Sequence, residues 1–145
     1  MSANTVQPGL FLRRALIADA AVNAVVGLVM ALGAGALPGL LGLPASLLTM
    51  AGVALFPYAA YLVWLATRVA VPRAAAWVPI ALNLVWAVDC LLVLFAAGLH
   101  PTGLGEAFVA IQIVTVLAFA ELEFIGLRRA LSLPRAATAH RPHHA

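Results

Sequence analysis

Apolar residues form four long stretches along this chain, and polar residues gather in the short breaks between them. The stretches cover about residues 15–37, 47–67, 76–98 and 106–127. A helix needs roughly 20 mostly apolar residues to cross the hydrocarbon core of a bilayer, because each residue advances it by about 1.5 Å. The pattern therefore predicts four transmembrane helices.

Proline, glycine and arginine residues mark the breaks between these stretches. The breaks lie at about residues 38–44, 68–73 and 100–105, and their proline and glycine residues interrupt helices. Because all three connections are short, neighbouring helices must run antiparallel. We expect an all-α fold in which residues 1–130 form a single transmembrane domain. Its predicted architecture is an antiparallel four-helix bundle with helices packed at about 20°.

The composition also indicates a membrane protein. Hydrophobic residues make up 65% of the 145 residues and charged residues 9%, whereas a soluble domain has about 45–50% and about 25%. A soluble fold of this size could not cover so much apolar surface, so the lipid bilayer must be its main partner. The formal charge of +3 is spread over short clusters and predicts no nucleic-acid binding.

The positions of the arginines predict the orientation. Positive residues near the ends of spans stay in the cytoplasm, and all eight arginines fall on one side of the predicted spans. Both termini are therefore expected inside. Arginine without lysine in an alanine-rich chain is typical of a bacterial genome of high GC content, so we expect the bacterial cytoplasmic (inner) membrane. The arginines are Arg13, Arg14, Arg68, Arg73, Arg128, Arg129, Arg135 and Arg141.

The end of the chain, residues 131–145, is polar and contains two prolines. We expect it to be a disordered cytoplasmic tail. It carries His140, His143 and His144, but a metal site needs ligands held in a fixed geometry. The sequence therefore predicts no metal site and no cofactor.

Five polar residues inside the predicted spans are the main functional candidates. Asp89 falls near the bilayer centre, where a charged aspartate costs about 2.5–3.5 kcal/mol. The others lie roughly 4–8 Å to the cytoplasmic side of their midpoints, at about 1.5 Å per residue. They are Asn23, Tyr61, Asn83 and Glu121. Two interpretations fit: a proton- or ion-handling site, or hydrogen bonds that only hold the helices together.

Two further acids lie nearer the cytoplasmic ends of their helices. We expect Asp19 and Glu123 to pair with interfacial arginines, Arg128 and Arg129 among them. Glu121 and Glu123 point to nearly opposite sides of the fourth helix. The pattern does not decide which of these two sides faces the bundle.

The two halves of the chain share a spacing. From Arg14 to Arg68 is 54 residues, and from Arg73 to Arg128 is 55. The outer turn of each half contains proline and glycine. Two duplicated helical hairpins would explain this. Coincidence explains it equally well, because membrane hairpins commonly have arginine ends and glycine or proline turns.

The first half of the chain resembles the small four-helix bacterial membrane proteins of the DoxX-like type. The residues that carry this resemblance are Arg13-Arg14, Asn23, Gly27 and the run LLGLP at 40–44. The run AELEFIGLRR at 120–129 is similar to uncharacterised bacterial proteins of the same size. The resemblance covers roughly residues 12–130. It implies a four-helix membrane fold and no catalytic residues.

No sequence motif predicts an enzyme, because HExxH, GxSxG, Walker and dinucleotide-binding patterns are absent. The leading expectation is a non-enzymatic membrane protein that acts through helix contacts, as an accessory subunit of a larger membrane protein or as a homo-oligomer such as a homodimer. The alternative is a small proton-coupled transporter or channel. Its titrating groups would be Asp89 and Glu121.

Overall fold

The structure is a computed structural model, and it describes residues 4–95 and 98–132, without the side chain of Ala34. Four of its helices are long and apolar enough to cross a membrane, which confirms that part of the prediction. In chain order the elements are β1 (Thr5–Val6), α1 (Leu10–Leu32), a 3-10 turn (Gly33–Gly35), α2 (Leu37–Leu41), α3 (Ala45–Thr67), β2 (Val71–Pro72), α4 (Arg73–Phe95) and α5 (Gly103–Ser132).

Some helices extend beyond the predicted spans, whereas α1 ends at Leu32, short of the predicted end at 37, because the 3-10 turn follows it. α1 begins at Leu10, so Arg13 and Arg14 lie in its first turns and not before it. α5 continues to Ser132. Hydropathy marks only the part of a helix that lies in hydrocarbon, whereas backbone hydrogen bonds carry the helix on into the interface. The predicted tail, apart from its first two residues, lies outside the described residues.

Two short elements were not predicted. α2 occupies the break at 38–44, with Pro38 in its first turn, where proline's missing N–H costs nothing. It ends at Leu41, and the residue that caps it, Gly42, has a φ of 67°, the left-handed conformation that glycine favours at helix ends. The second element is a two-strand pairing in which Thr5 lies opposite Pro72 and Val6 opposite Val71.

α1 and α3 pack with their backbones in close contact. A Cβ atom at Gly52 would lie 2.9 Å from the carbonyl oxygen of Gly27, and one at Gly27 would lie 2.8 Å from that of Gly52. Small residues allow this approach in membrane helices. Nearer the other end of α3, Arg13 Nη1 donates a hydrogen bond to the carbonyl oxygen of Ala66 (2.6 Å).

Several contacts gather arginines at one end of the molecule, which we call the arginine end. Arg13 Nη2 donates to the carbonyl oxygen of Arg68 (2.7 Å). The backbone N–H of Arg73 donates to Asn4 (2.9 Å), and the guanidinium of Arg129 lies over the ring of Phe11 at 4.8 Å. At the far end, Thr102 joins α2 to the start of α5, because its hydroxyl donates to the carbonyl oxygen of Leu40 (2.6 Å).

The buried apolar side chains form two clusters, one toward each end. The arginine-end cluster contains Leu62, Leu65 and Leu127, which are at most 1% exposed. The far-end cluster contains Met30, Leu48, Leu55, Cys90 and Val109 among others. Tyr58 packs against the arginine-end cluster. It belongs to a group of polar side chains that forms the candidate site.

Candidate functional site

All four long helices contribute a polar side chain to one buried group. Asp19 and Asn23 are four residues apart and so share a face of α1. α3 contributes Tyr58, α4 contributes Asn83 and α5 contributes Glu123. Asp19, Asn83 and Glu123 are each 1% exposed, and Asn23 is 8% exposed. We call these five residues the polar network.

Asp19 is the main acceptor of the polar network. Its Oδ1 accepts a hydrogen bond from Asn23 Nδ2 (2.7 Å). Its Oδ2 accepts from Asn83 Nδ2 (3.1 Å) and from the hydroxyl of Tyr58 (3.2 Å). Asp19 therefore receives hydrogen bonds from three side chains, which belong to α1, α3 and α4.

Asn83 joins Asp19 to the second acid. Its Nδ2 also donates to Glu123 Oε2 (3.3 Å), so both hydrogens of this amide are used. Asp19 Oδ2 and Glu123 Oε2 therefore lie within two hydrogen-bond lengths of each other. Among the described residues, Glu123 Oε1 is buried without a hydrogen-bond partner. Buried polar atoms nearly always have a partner, so this oxygen is a place where a proton or a ligand is expected.

Two of the predicted residues belong to the polar network, but the acids beside them are not the predicted ones. Asn23 and Asn83 both donate a hydrogen bond to Asp19. The carboxyl groups beside them belong to Asp19 and Glu123, not to Asp89 and Glu121. Glu121 is exposed, because the buried face of α5 carries Glu123. That face repeats at helical spacing through Val109, Val116, Ala120, Glu123 and Leu127.

The predicted pairing of Asp19 and Glu123 with interfacial arginines is wrong. Asp19 takes its hydrogen bonds from the polar network. The guanidinium of Arg128 lies over the ring of Phe124 at 5.7 Å, and that of Arg129 lies over Phe11. Aromatic faces at the interface attract these cations, and both acids are buried too deeply to reach them.

Tyr61 lies outside the polar network, and Tyr58 occupies the place expected of it. The hydroxyl of Tyr61 donates to the carbonyl oxygen of Ala75 (2.9 Å), and its ring stacks on Trp64. The two tyrosines are three residues apart and so share a helical face. The sequence alone does not show which of the two tyrosines reaches Asp19. The packing of α3 against α1 and α4 decides it.

One cavity borders the polar network, and a larger cavity shares two lining residues with it. The smaller, of about 250 Å³, is lined by Asn23, Tyr58 and Asn83 and also by Trp86 and Asp89. The larger, of about 450 Å³, is lined mainly by apolar side chains and again borders Trp86 and Asp89. Asp89 is exposed. It therefore lies where the two cavities meet, while Glu121 borders neither.

The described residues contain no group of three His, Cys, Asp or Glu side chains placed to hold a metal ion. His140, His143 and His144 lie outside the described residues. Comparisons with protein-family models, curated proteins and solved structures found no match. The resemblance to DoxX-like proteins therefore stays a prediction, and the function must be argued from the site itself.

Proposed function

We propose that this protein is a small proton-coupled membrane transporter in which Asp19 and Glu123 together hold and exchange one proton. The observation that carries the proposal is the shared donor: one buried amide, Asn83, bonds to both carboxyl groups. Two carboxylates so close together and so far from water repel each other strongly. A single proton on the pair removes that repulsion.

The hydrogen bonds favour Glu123 as the residue that carries the proton. Asp19 accepts from three side-chain donors, which suits a carboxylate. Glu123 accepts from one, and its Oε1 has no partner among the described residues. A proton on Glu123 turns an unpaired acceptor into a donor. Release of the proton leaves a buried carboxylate, which a water molecule or a cation must then stabilise.

The surroundings of the polar network differ between its two sides, and this favours a transporter over an open channel. The smaller cavity reaches three members of the polar network, Asn23, Tyr58 and Asn83. On the arginine side, Leu62, Leu65 and Leu127 are packed with almost no exposure. A carrier must open its site to one side at a time, and this arrangement matches one such state.

The proposal includes the orientation and arrangement of the helices. We place both termini in the cytoplasm of a bacterial cell and the chain in its inner membrane, as an antiparallel four-helix bundle. The gathering of Arg13, Arg68 and Arg73 at one end supports the orientation. Contacts between Arg13 and Ala66 and between Gly27 and Gly52 support opposite directions for α1 and α3.

Proton flux through liposomes tests this function. With the purified protein in liposomes under an imposed pH gradient, and valinomycin and potassium to balance charge, we expect wild type to collapse the gradient. Asp19→Asn and Glu123→Gln should each slow the collapse by at least about tenfold, because neither amide can hold the exchangeable proton. A pH-sensitive dye inside the liposomes measures the rate.

The control is Glu106→Gln, which changes an exposed acid in the first turn of α5. It should collapse the gradient at the wild-type rate. A rate for wild type and both network variants that equals the rate of empty liposomes would contradict the proton function.

That outcome would favour a second function, assembly through helix contacts as an accessory subunit or homo-oligomer. One observation supports it: Glu121 is exposed within α5, two residues from the buried Glu123. A carboxylate that faces lipid is costly, and a partner helix would cover it. On this account the polar network only holds the helices together.

A further inference from the structure

The larger cavity has the size and lining of a small-molecule site. Its volume of about 450 Å³ falls within the range of roughly 300–1,000 Å³ typical of ligand pockets. Most of the lining is apolar, and the polar side chains are few. The apolar part includes Met30, Leu43, Leu47, Leu48, Met50, Val93 and Phe108. An apolar body of six to ten carbon atoms, roughly, would bury well in such a space.

An exposed carboxyl group without a described partner borders this cavity. Among the residues the structure describes, Asp89 makes no side-chain hydrogen bond, although it lies within α4 and borders both cavities. A charge placed among apolar side chains is stable only when it is paired. A cation that enters the cavity would supply the partner that Asp89 lacks.

Trp86 adds a second feature that selects a cation. It lies three residues before Asp89, on the same face of α4, and borders both cavities. Its indole N–H donates to Gln112 Oε1 (3.1 Å), which fixes the ring between α4 and α5. The face of an indole ring attracts ammonium groups, whereas it offers nothing to a carboxylate head group.

We propose that the larger cavity binds a lipophilic amine, whose protonated nitrogen pairs with Asp89 beside Trp86 and whose apolar part fills the cavity. This inference names the substrate class of the proposed transporter and rests on that function. The smaller cavity connects the two sites, because it borders Asp89 and also Asn83, which holds the Asp19–Glu123 pair. An ammonium ion at Asp89 favours the charged, deprotonated form of Glu123, so binding of the amine favours release of the proton.

Three ligands with the same tail test the site: octylamine, octanol and octanoate. Binding to the protein in nanodiscs is measured by calorimetry, and the heats from empty nanodiscs are subtracted. Wild type should bind octylamine saturably and at least about tenfold more tightly than octanol, with octanoate weakest. Asp89→Asn should remove the preference for the amine, and Asp89→Glu should restore most of it. Glu121→Gln, which also removes one exposed acid, should bind octylamine like wild type.

Two results would overturn the inference. One is equal affinity for octylamine and octanol in wild type, which would mean an apolar cavity filled by lipid chains. The other is an amine preference that survives in Asp89→Asn. Thermal stability of Asp89→Asn near that of wild type shows that the variant is folded. Amine binding that depends on Asp89, found together with proton flux that ignores Glu123→Gln, would support this site and contradict the proton function.

Discussion

Gly52→Leu is expected to destabilise the folded protein by about 3 kcal/mol or more, toward the upper end of the range for inserted side chains. The first carbon alone would lie 2.8 Å from Met30 Cβ and 2.9 Å from the carbonyl oxygen of Gly27. Backbone atoms cannot move aside as a flexible side chain can, so α1 and α3 must separate. The free energy of unfolding in mixed micelles, followed by circular dichroism, measures the loss.

Gly39→Leu is the matched control. A Cβ atom at Gly39 meets nothing within 4 Å, and the residue is exposed in α2. This variant should stay within about 0.5 kcal/mol of wild type. Equal losses in the two variants would mean that the glycine contact between α1 and α3 does not hold the bundle.

Asp19→Leu is the second large expected effect, a loss of about 3 kcal/mol. It leaves the side-chain donors of Asn23, Tyr58 and Asn83 without the acceptor that they share. Each unsatisfied buried donor costs about 1–3 kcal/mol, and the total falls short of the sum because each of the three keeps a second acceptor. Unfolding in mixed micelles again provides the measurement.

Two companion variants separate packing from chemistry in this prediction. Asp19→Asn keeps the shape of the side chain and one of its two acceptor oxygens, so it should lose less stability than Asp19→Leu, about 1–2 kcal/mol, while losing proton exchange. Asp89→Leu makes the same change of residue type at an exposed site without a described partner, and should stay near wild type. A stable Asp19→Leu would show that the polar network contributes nothing to the fold.

The apolar pattern was enough to predict four long apolar helices, because membrane thickness fixes how many residues each span needs. It also placed Asn23 and Asn83 at a common depth, and the structure joins them through Asp19. Depth follows from counting residues, since a helix rises by a constant amount per residue. These features are therefore readable from one sequence.

The sequence did not predict which acidic residues are buried in the site, because that depends on the rotation of each helix about its axis. Glu121 and Glu123 differ little in depth but face opposite ways, and only packing against α1 and α4 decides that Glu123 is buried. Asp19 was assigned to the interface because arginines lie near it in the chain. The pairing of β1 with β2 and the turn of α2 depend on contacts between distant segments, which a hydropathy pattern does not contain.

The Asp19–Glu123 pair and its single proton can be tested most directly by infrared difference spectroscopy on the protein in membranes, between neutral and alkaline buffer. A protonated carboxyl group gives a C=O stretching band that a carboxylate lacks. We expect wild type at neutral pH to show one such band from a buried group, which disappears in Glu123→Gln, shifts in Asp19→Asn and remains in Asp89→Asn. A neutral-pH spectrum without that band, or a band that Glu123→Gln leaves unchanged, would contradict the account.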